Sequence, residues 1–182
     1  MGGFFSKLYF YWAIKGREFR IVMVGLDGAG KTTILNQMKL GEPQHTVPTI
    51  GFNLEKVSFG GVEFNTWDIG GQQKIRPLWE YYLSGIHAVI FVIDSADTAR
   101  LREAMEELEK IRCNRDVTGK PFVIFANKQD LPGAIHPEEL FNQIRVLFKE
   151  TDTVHVFPVS AIVNEGITEG MVWLLDELCK RC

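Results

Sequence analysis

Cysteine is scarce in this 182-residue chain: Cys113, Cys179 and Cys182 are the only three. An odd number without paired spacing offers no disulfide framework. Cys179 and Cys182 form a C-x-x-C, but no second ligand pair accompanies it. That usage points to a reducing compartment, the cytosol or the cytosolic face of a membrane. Long apolar runs are missing too, none approaching the roughly 20 residues of a membrane-spanning helix. No charged n-region followed by an apolar h-region opens the chain, so no signal peptide is read. Nor is there a basic excess. Twenty Lys and Arg stand against 23 Asp and Glu, a net charge of −3, which argues against a nucleic-acid binder because phosphate backbones demand a basic face. Repeats, low-complexity tracts and linkers are absent, so residues 1–182 read as one domain with a sizeable core.

What is present begins with Gly25-Leu26-Asp27-Gly28-Ala29-Gly30-Lys31-Thr32-Thr33. An apolar, β-branched run (Phe19, Ile21, Val22, Met23, Val24) precedes it, and a helical pattern (Ile34, Leu35, Met38, Leu40) follows. This is G-x-x-x-x-G-K-[ST] in its strand–loop–helix setting. Gly25 and Gly30 permit a tight backbone path that turns loop amides inward. Together with the positive end of the following helix, those amides make an anion site for phosphates. Lys31 suits neutralisation of β- and γ-phosphates, and the Thr32 hydroxyl suits Mg²⁺.

Strand and helix patterns alternate along the rest of the chain. Phe52 to Phe59 and Val62 to Trp67 read as strands joined by Gly60-Gly61, a two-residue hairpin turn. A helix with Ile75, Leu78, Trp79, Tyr82 and Leu83 is expected next, then buried strands at Ala88 to Ile93, Phe122 to Ala126 and Val154 to Val159. Three further helices are expected: one with Leu101, Met105, Leu108 and Ile111 on one face, one with Leu140, Ile144, Leu147 and Phe148, and one with Ile167, Met171, Leu174, Leu175 and Leu178. Such alternation predicts a mostly parallel sheet covered on both faces, with one antiparallel edge strand from the hairpin.

Loops at the carboxyl ends of parallel strands line the ligand crevice, and here they carry polar signatures. Asp68 ends an apolar strand and suits a carboxylate that holds Mg²⁺ through water. Gly71 can offer its N–H to a γ-phosphate, and Gln72 can orient an attacking water. In Asn127-Lys128-Gln129-Asp130, the Asp130 carboxylate can accept from guanine N1–H and from its exocyclic amine, a donor pair that adenine lacks. A buried polar mismatch of this kind discriminates by up to ~10⁴. Lys128 can lie along base and ribose, Asn127 can brace the loops, and Ser160-Ala161 can place backbone amides at guanine O6.

Residues 2 to 17 differ in composition from the rest. Phe4, Leu8 and Trp12 share one helical face with Phe5 and Tyr9 beside it, and the only charges are Lys7, Lys15 and Arg17. Two readings stand, a helix packed on the core or an interfacial membrane helix. Met1-Gly2-Gly3-Phe4-Phe5-Ser6 fits M-G-x-x-x-[ST], the pattern for myristoylation of Gly2. That favours the membrane, because one acyl chain binds only marginally without a second anchor.

Taken together, these residues closely resemble the ADP-ribosylation factor and ADP-ribosylation-factor-like small GTPases of the Ras superfamily. The carriers are the Gly25–Thr33 loop, Pro48-Thr49-Ile50-Gly51-Phe52-Asn53, Trp67-Asp68-Ile69-Gly70-Gly71-Gln72 with Ile75-Arg76-Pro77-Leu78-Trp79, and Asn127-Lys128-Gln129-Asp130. The resemblance implies a three-layer P-loop NTPase fold with a six-stranded mixed sheet. It implies slow hydrolysis of GTP to GDP and phosphate, with Mg²⁺ on Thr32 and on Thr49, the latter only when GTP is bound. It also implies that Phe52, Trp67 and Tyr82 form an apolar effector patch, although as a pattern they equally suit core or hairpin packing. Expected partners are an exchange factor, a GTPase-activating protein, membrane-traffic effectors, and a membrane reached through Gly2. The expected location is the cytoplasm, cycling to the cytosolic face of Golgi or endosomal membranes. Gly28 and Gln73 depart from the family's usual Ala and Asp. Two rivals are a P-loop nucleotide kinase, which lacks an evident arginine-rich lid here, and a non-hydrolysing GTP-binding scaffold, against which Gln72 and Thr49 argue.

Overall fold

Six strands pair into one sheet in the computed structural model, which describes residues 17–40, 52–60, 62–69 and 71–181. In chain order they are β1 (Glu18–Val24), β2 (Phe52–Phe59), β3 (Val62–Ile69), β4 (Ala88–Asp94), β5 (Phe122–Asn127) and β6 (Val154–Pro158). Their spatial order is β2-β3-β1-β4-β5-β6, with β2 antiparallel to β3 and every other pair parallel. This is the predicted mostly parallel sheet with one antiparallel edge strand. Gly2, the N-terminal aromatic segment and Thr49 lie outside the described residues.

Helices α1 (Lys31–Leu40), α2 (Trp79–Tyr82), α3 (Leu101–Arg112), α4 (Pro137–Arg145) and α5 (Ile167–Cys179) flank the sheet. The reason is visible in β4, whose uninterrupted apolar run buries both faces of the strand. Val89, Phe91 and Ile93 join one cluster with Leu108 and Ile111 of α3 and Leu140 and Ile144 of α4. Ala88, Ile90 and Val92 join the other, with Ile34 of α1 and Met171, Leu174 and Leu178 of α5. Alternate residues of one strand therefore hold two helical layers in place.

Two elements differ from their sequence patterns. After Gln72 the expected helix is only a 3₁₀ turn, Arg76–Leu78, followed by the single turn of α2. Pro77 lies in that first turn, where it is tolerated but leaves one fewer amide to extend a helix. In α3 the buried residues are Ala104, Leu108 and Ile111, while Met105 is only half-buried. The small Ala104 lets the helix approach the sheet closely, which a hydrophobicity pattern underweights. Among the described residues no helix is long and apolar enough to cross a membrane.

Register positions the chemistry. Met23 pairs with Asp68 across β1 and β3, and Asp94 pairs with Asn127 across β4 and β5. The carboxyl ends of the parallel strands thus share one edge, and β1 and β4 separate the two winding directions of the chain. A crevice at such a switch point is where ligands bind in open α/β sheets.

Phe125 tests the packing of the α1–α5 layer. Its ring is fully buried and lies so close to α5 that a Cβ on Gly170 would come within 2.2 Å of it. Phe125→Ala should cost about 3–5 kcal/mol. In urea unfolding this appears as a lowered midpoint with an unchanged slope.

Candidate functional site

A cleft of about 270 Å³ opens at the shared strand edge. Asp27, Gly28, Gly30, Lys31, Thr32, Thr33, Gly71, Gln72, Asn127, Lys128, Asp130, Ala161 and Ile162 line it. Four stretches far apart in sequence therefore meet in one place, and all of their lining residues but Ile162 are ones that motif reading selected.

The phosphate loop follows β1 directly, so the sheet holds its start and α1 holds its end. Gly30 adopts φ +96°, and a Cβ there would lie 2.3 Å from Nδ2 of Asn127. That approach is used: Asn127 Nδ2 donates to the Ala29 carbonyl at 2.8 Å. Lys31 is buried and curls back over the loop, its Nζ donating to the carbonyls of Gly25 and Leu26 at 2.9 Å each. Burial lowers its pKa from the usual 10.5 to about 8, a shift opposed by Asp68 and Asp27 and assisted by Arg76. An ammonium so desolvated favours any anion placed beside it.

Asp68 is fully buried at the end of β3 and accepts a hydrogen bond from Thr32 Oγ1 at 2.7 Å. One hydroxyl and one carboxylate are hard oxygen donors of the kind Mg²⁺ takes, the ion's other positions being filled by phosphate oxygens and water. Among the described residues no three His, Cys, Asp or Glu side chains converge as a self-sufficient metal cage. The donor set fits a cation shared with a phosphate ligand.

Gly71 rests against the phosphate loop. A Cβ on it would come within 2.2 Å of the Asp27 nitrogen and 2.4 Å of the Gly25 oxygen, so no other residue allows this approach. Arg76 secures the contact. Its buried guanidinium donates through Nε to the Gly71 carbonyl at 2.9 Å and pairs with Glu103 at 2.8 Å and with Asp27 at 3.6 Å. Arg100, just before α3, reaches the same carboxylate at 3.3 Å and is itself held by Asp97 at 2.6 Å. Asp27 of the phosphate loop thus lies between two arginines, a network that motif reading did not foresee. Arg100 arrives from a segment without any motif. Arg76 belongs to a quoted family stretch but offers no local sign of its partners.

On the base side, Ser160 Oγ donates to Asp130 Oδ1 at 2.5 Å and so orients that carboxylate. Lys128 adopts φ +68° and pairs with Asp94 at 2.6 Å, which holds its stem along the cleft. The amides of Ser160 and Ala161 differ from expectation. Ser160 N–H donates to the Glu165 carbonyl at 3.1 Å, and Ala161 N–H to Asn127 Oδ1 at 3.0 Å. Both bonds stabilise the loop itself, so Ser160 bears on the site through the hydroxyl that holds Asp130 rather than through its amide. Away from the cleft, Phe52 and Tyr82 pack in a tilted arrangement with ring centroids 5.0 Å apart, and Phe52 remains exposed. The side chain of Trp67, the third residue of the expected patch, is not among those described.

Comparison with known proteins agrees with this geometry. The family model described as ADP-ribosylation factor family matches residues 5–178. The chain belongs to the ADP-ribosylation factor family. ADP-ribosylation factor J of Dictyostelium discoideum is 42% identical over 178 residues, covering 98% of this chain and 94% of that relative. Among solved structures, the Arl6 (BBS3) small GTPase of Trypanosoma brucei with bound nucleotide analogue GppNp superposes with a TM-score of 0.81. It is 38% identical and covers 90% of this chain and 98% of its own. As a small GTPase of this family, the protein is a GTP-binding switch and hydrolyses GTP to GDP and phosphate.

The lowered Lys31 pKa has a measurable consequence for this GTPase. Below about pH 8 Lys31 is already charged and ready for phosphate. Above that pH, binding must first return a proton to it, because phosphate favours the ammonium. Affinity for GDP should therefore be flat below about pH 8 and fall above it, by at most about tenfold per pH unit. Fluorescent-GDP titration at constant ionic strength checks this, and Lys31→Met should remove the step together with much of the affinity.

Proposed function

We propose that this GTPase works as a membrane-recruited switch whose GTP form gathers effectors in vesicle traffic at Golgi or endosomal membranes. One observation carries the reading: the Gly71 backbone seats on the phosphate loop while Arg76 ties the same segment to Asp27. Whatever phosphate occupies the loop must then bias the segment that leads to the exposed Leu78 and Tyr81, next to exposed Phe52 and Leu54 on β2. Nucleotide state becomes a change of apolar surface, which is what an effector reads.

Within this reading the residues take distinct roles. Lys31 and the amides from Leu26 to Thr33 stabilise charge on the phosphates. Thr32, Thr49 and Asp68 would hold Mg²⁺, Asp68 through water; the ion supplies charge neutralisation between β- and γ-phosphates. Gln72 orients the attacking water, and Asn127, Lys128 and Asp130 hold guanine. Hydrolysis is slow unaided, because Arg76 and Arg100 are committed to Glu103, Asp97 and Asp27. An activating protein that inserts an arginine would add ~10³–10⁵ in rate. Gln72→Leu should raise the GTP share of bound nucleotide in cells, and Thr32→Asn should lower it. Measurement of that ratio by chromatography of extracted nucleotide decides the assignment, and an unchanged ratio in Gln72→Leu removes Gln72 from the mechanism.

Membrane recruitment rests on Gly2 and the aromatic segment of residues 2–17, of which residues 2–16 lie outside the described residues. The hairpin supplies the link to nucleotide, since a Cβ at its Gly60 tip would lie 3.2 Å from Leu175 of α5. A hairpin that slides along α5 would compete with the N-terminal segment for apolar cover, leaving that segment to the bilayer in the GTP state. GTP and membrane then favour the same state, and their effects are reciprocal. Lipid vesicles should accelerate exchange of GDP for GTP on the myristoylated protein, and deletion of residues 2–17 should make exchange fast without lipid. Slow exchange in the truncated protein, with no response of the full chain to vesicles, would sink the coupling.

A further inference from the structure

Helix α1 carries one side chain that its apolar face does not call for. Gln37 is only 4% exposed, three residues beyond the fully buried Ile34. Its Nε2 donates to the Ala161 carbonyl at 2.8 Å, across 124 positions of sequence. Its Oε1 is buried without a hydrogen-bond partner among the described residues. A residue present only to fill the core would be Leu or Met and would leave no polar atom desolvated. The side chain is therefore placed for its donor.

That donor holds one peptide unit. In a trans peptide the C=O and the following N–H point in opposite directions, and the described chain has no cis bond. With the Ala161 carbonyl drawn toward α1, the N–H of Ile162 points the other way, toward the cleft that Ala161 and Ile162 line. The Ala161 amide is already bonded to Asn127 Oδ1 at 3.0 Å. The plane is thus clamped from both ends, by Asn127 at the amide before it and by Gln37 at its carbonyl. Asn127 also holds Ala29 of the phosphate loop, and Gln37 lies on the helix that this loop opens. Base loop and phosphate loop are joined twice.

We infer that Gln37 is a positioning residue for guanine, holding the 161–162 peptide so that the Ile162 amide donates to the 6-oxo group and sets how long nucleotide stays bound. The inference rests on the guanine reading of the cleft. It separates two features of the base: Asp130 reads the 2-amino side, and the peptide held by Gln37 reads the 6-oxo side.

The test uses the full chain loaded with fluorescent GDP, with competition by GDP, by inosine diphosphate, which lacks the 2-amino group, and by 2-aminopurine riboside diphosphate, which lacks the 6-oxo group. Gln37→Leu removes the donor, and Gln37→Glu keeps the shape while setting acceptor against acceptor. Both should speed GDP dissociation tenfold or more and shrink the preference for GDP over the 2-aminopurine nucleotide. The preference for GDP over inosine diphosphate should hold. Ile162→Pro, which removes the proposed donor at an exposed position and leaves Gln37 intact, should lose the same 6-oxo preference. Dissociation within twofold of the parent in both Gln37 variants overturns the proposal. So does an equal loss toward both analogues, which marks general loosening, or an undiminished 6-oxo preference in Ile162→Pro. If the parent protein fails to prefer GDP over ADP, the guanine reading itself fails, and that result precedes any variant.

Discussion

A buried ammonium whose hydrogen-bond partners among the described residues are backbone carbonyls is an unfavourable arrangement, and the site is built around one. Lys31 Nζ touches the carbonyls of Gly25 and Leu26, which are dipoles rather than counter-charges. The nearby carboxylates recover only part of the desolvation, so its pKa stays about 8. Stability is therefore given up locally, and an incoming phosphate returns it. Around this point Asp68 is fixed by Thr32, the phosphate loop is fixed by Asn127, and the sheet register holds both.

The same constraint organises the ion pairs. Asp27 would add negative charge beside a phosphate, and Arg76 and Arg100 offset it from two sides. Arg76 is also the bond that keeps Gly71 against the loop. Neutralising the phosphate loop and positioning the segment before α2 are thus one task performed by one guanidinium. Its 7% side-chain exposure makes the pairings with Glu103 and Glu107 close to obligatory. An arginine so committed is unavailable as a catalytic finger, consistent with a hydrolase that relies on another protein for speed.

Much of the fold was legible because its signals are local. The two-faced burial of β4 follows from an unbroken apolar run. The β2–β3 hairpin follows from two glycines between alternating strands, and all six strands were placed to within a residue or two. The helix expected after Gln72 was not legible, since apolar spacing there continues through a proline that confines the structure to single turns. Met105 was assigned to the core in place of Ala104 because hydrophobicity ranks methionine above a residue whose value lies in its small size.

By itself the sequence determined the chemistry of this protein wherever one contiguous stretch suffices. A phosphate loop is a backbone conformation set by its own glycines and the adjoining strand and helix, and Asn127 to Asp130 is one strand end. Only the tertiary structure decided which distant polar groups meet: Arg100 with Asp27 over 73 positions, Gln37 with Ala161 over 124. It likewise decided that the amides of Ser160 and Ala161 bond within their own loop. The physical reason is that a hydrogen bond has a range of about 3 Å. Periodicity assigns a residue to a face, but only the packed layers bring a donor within that distance of its acceptor.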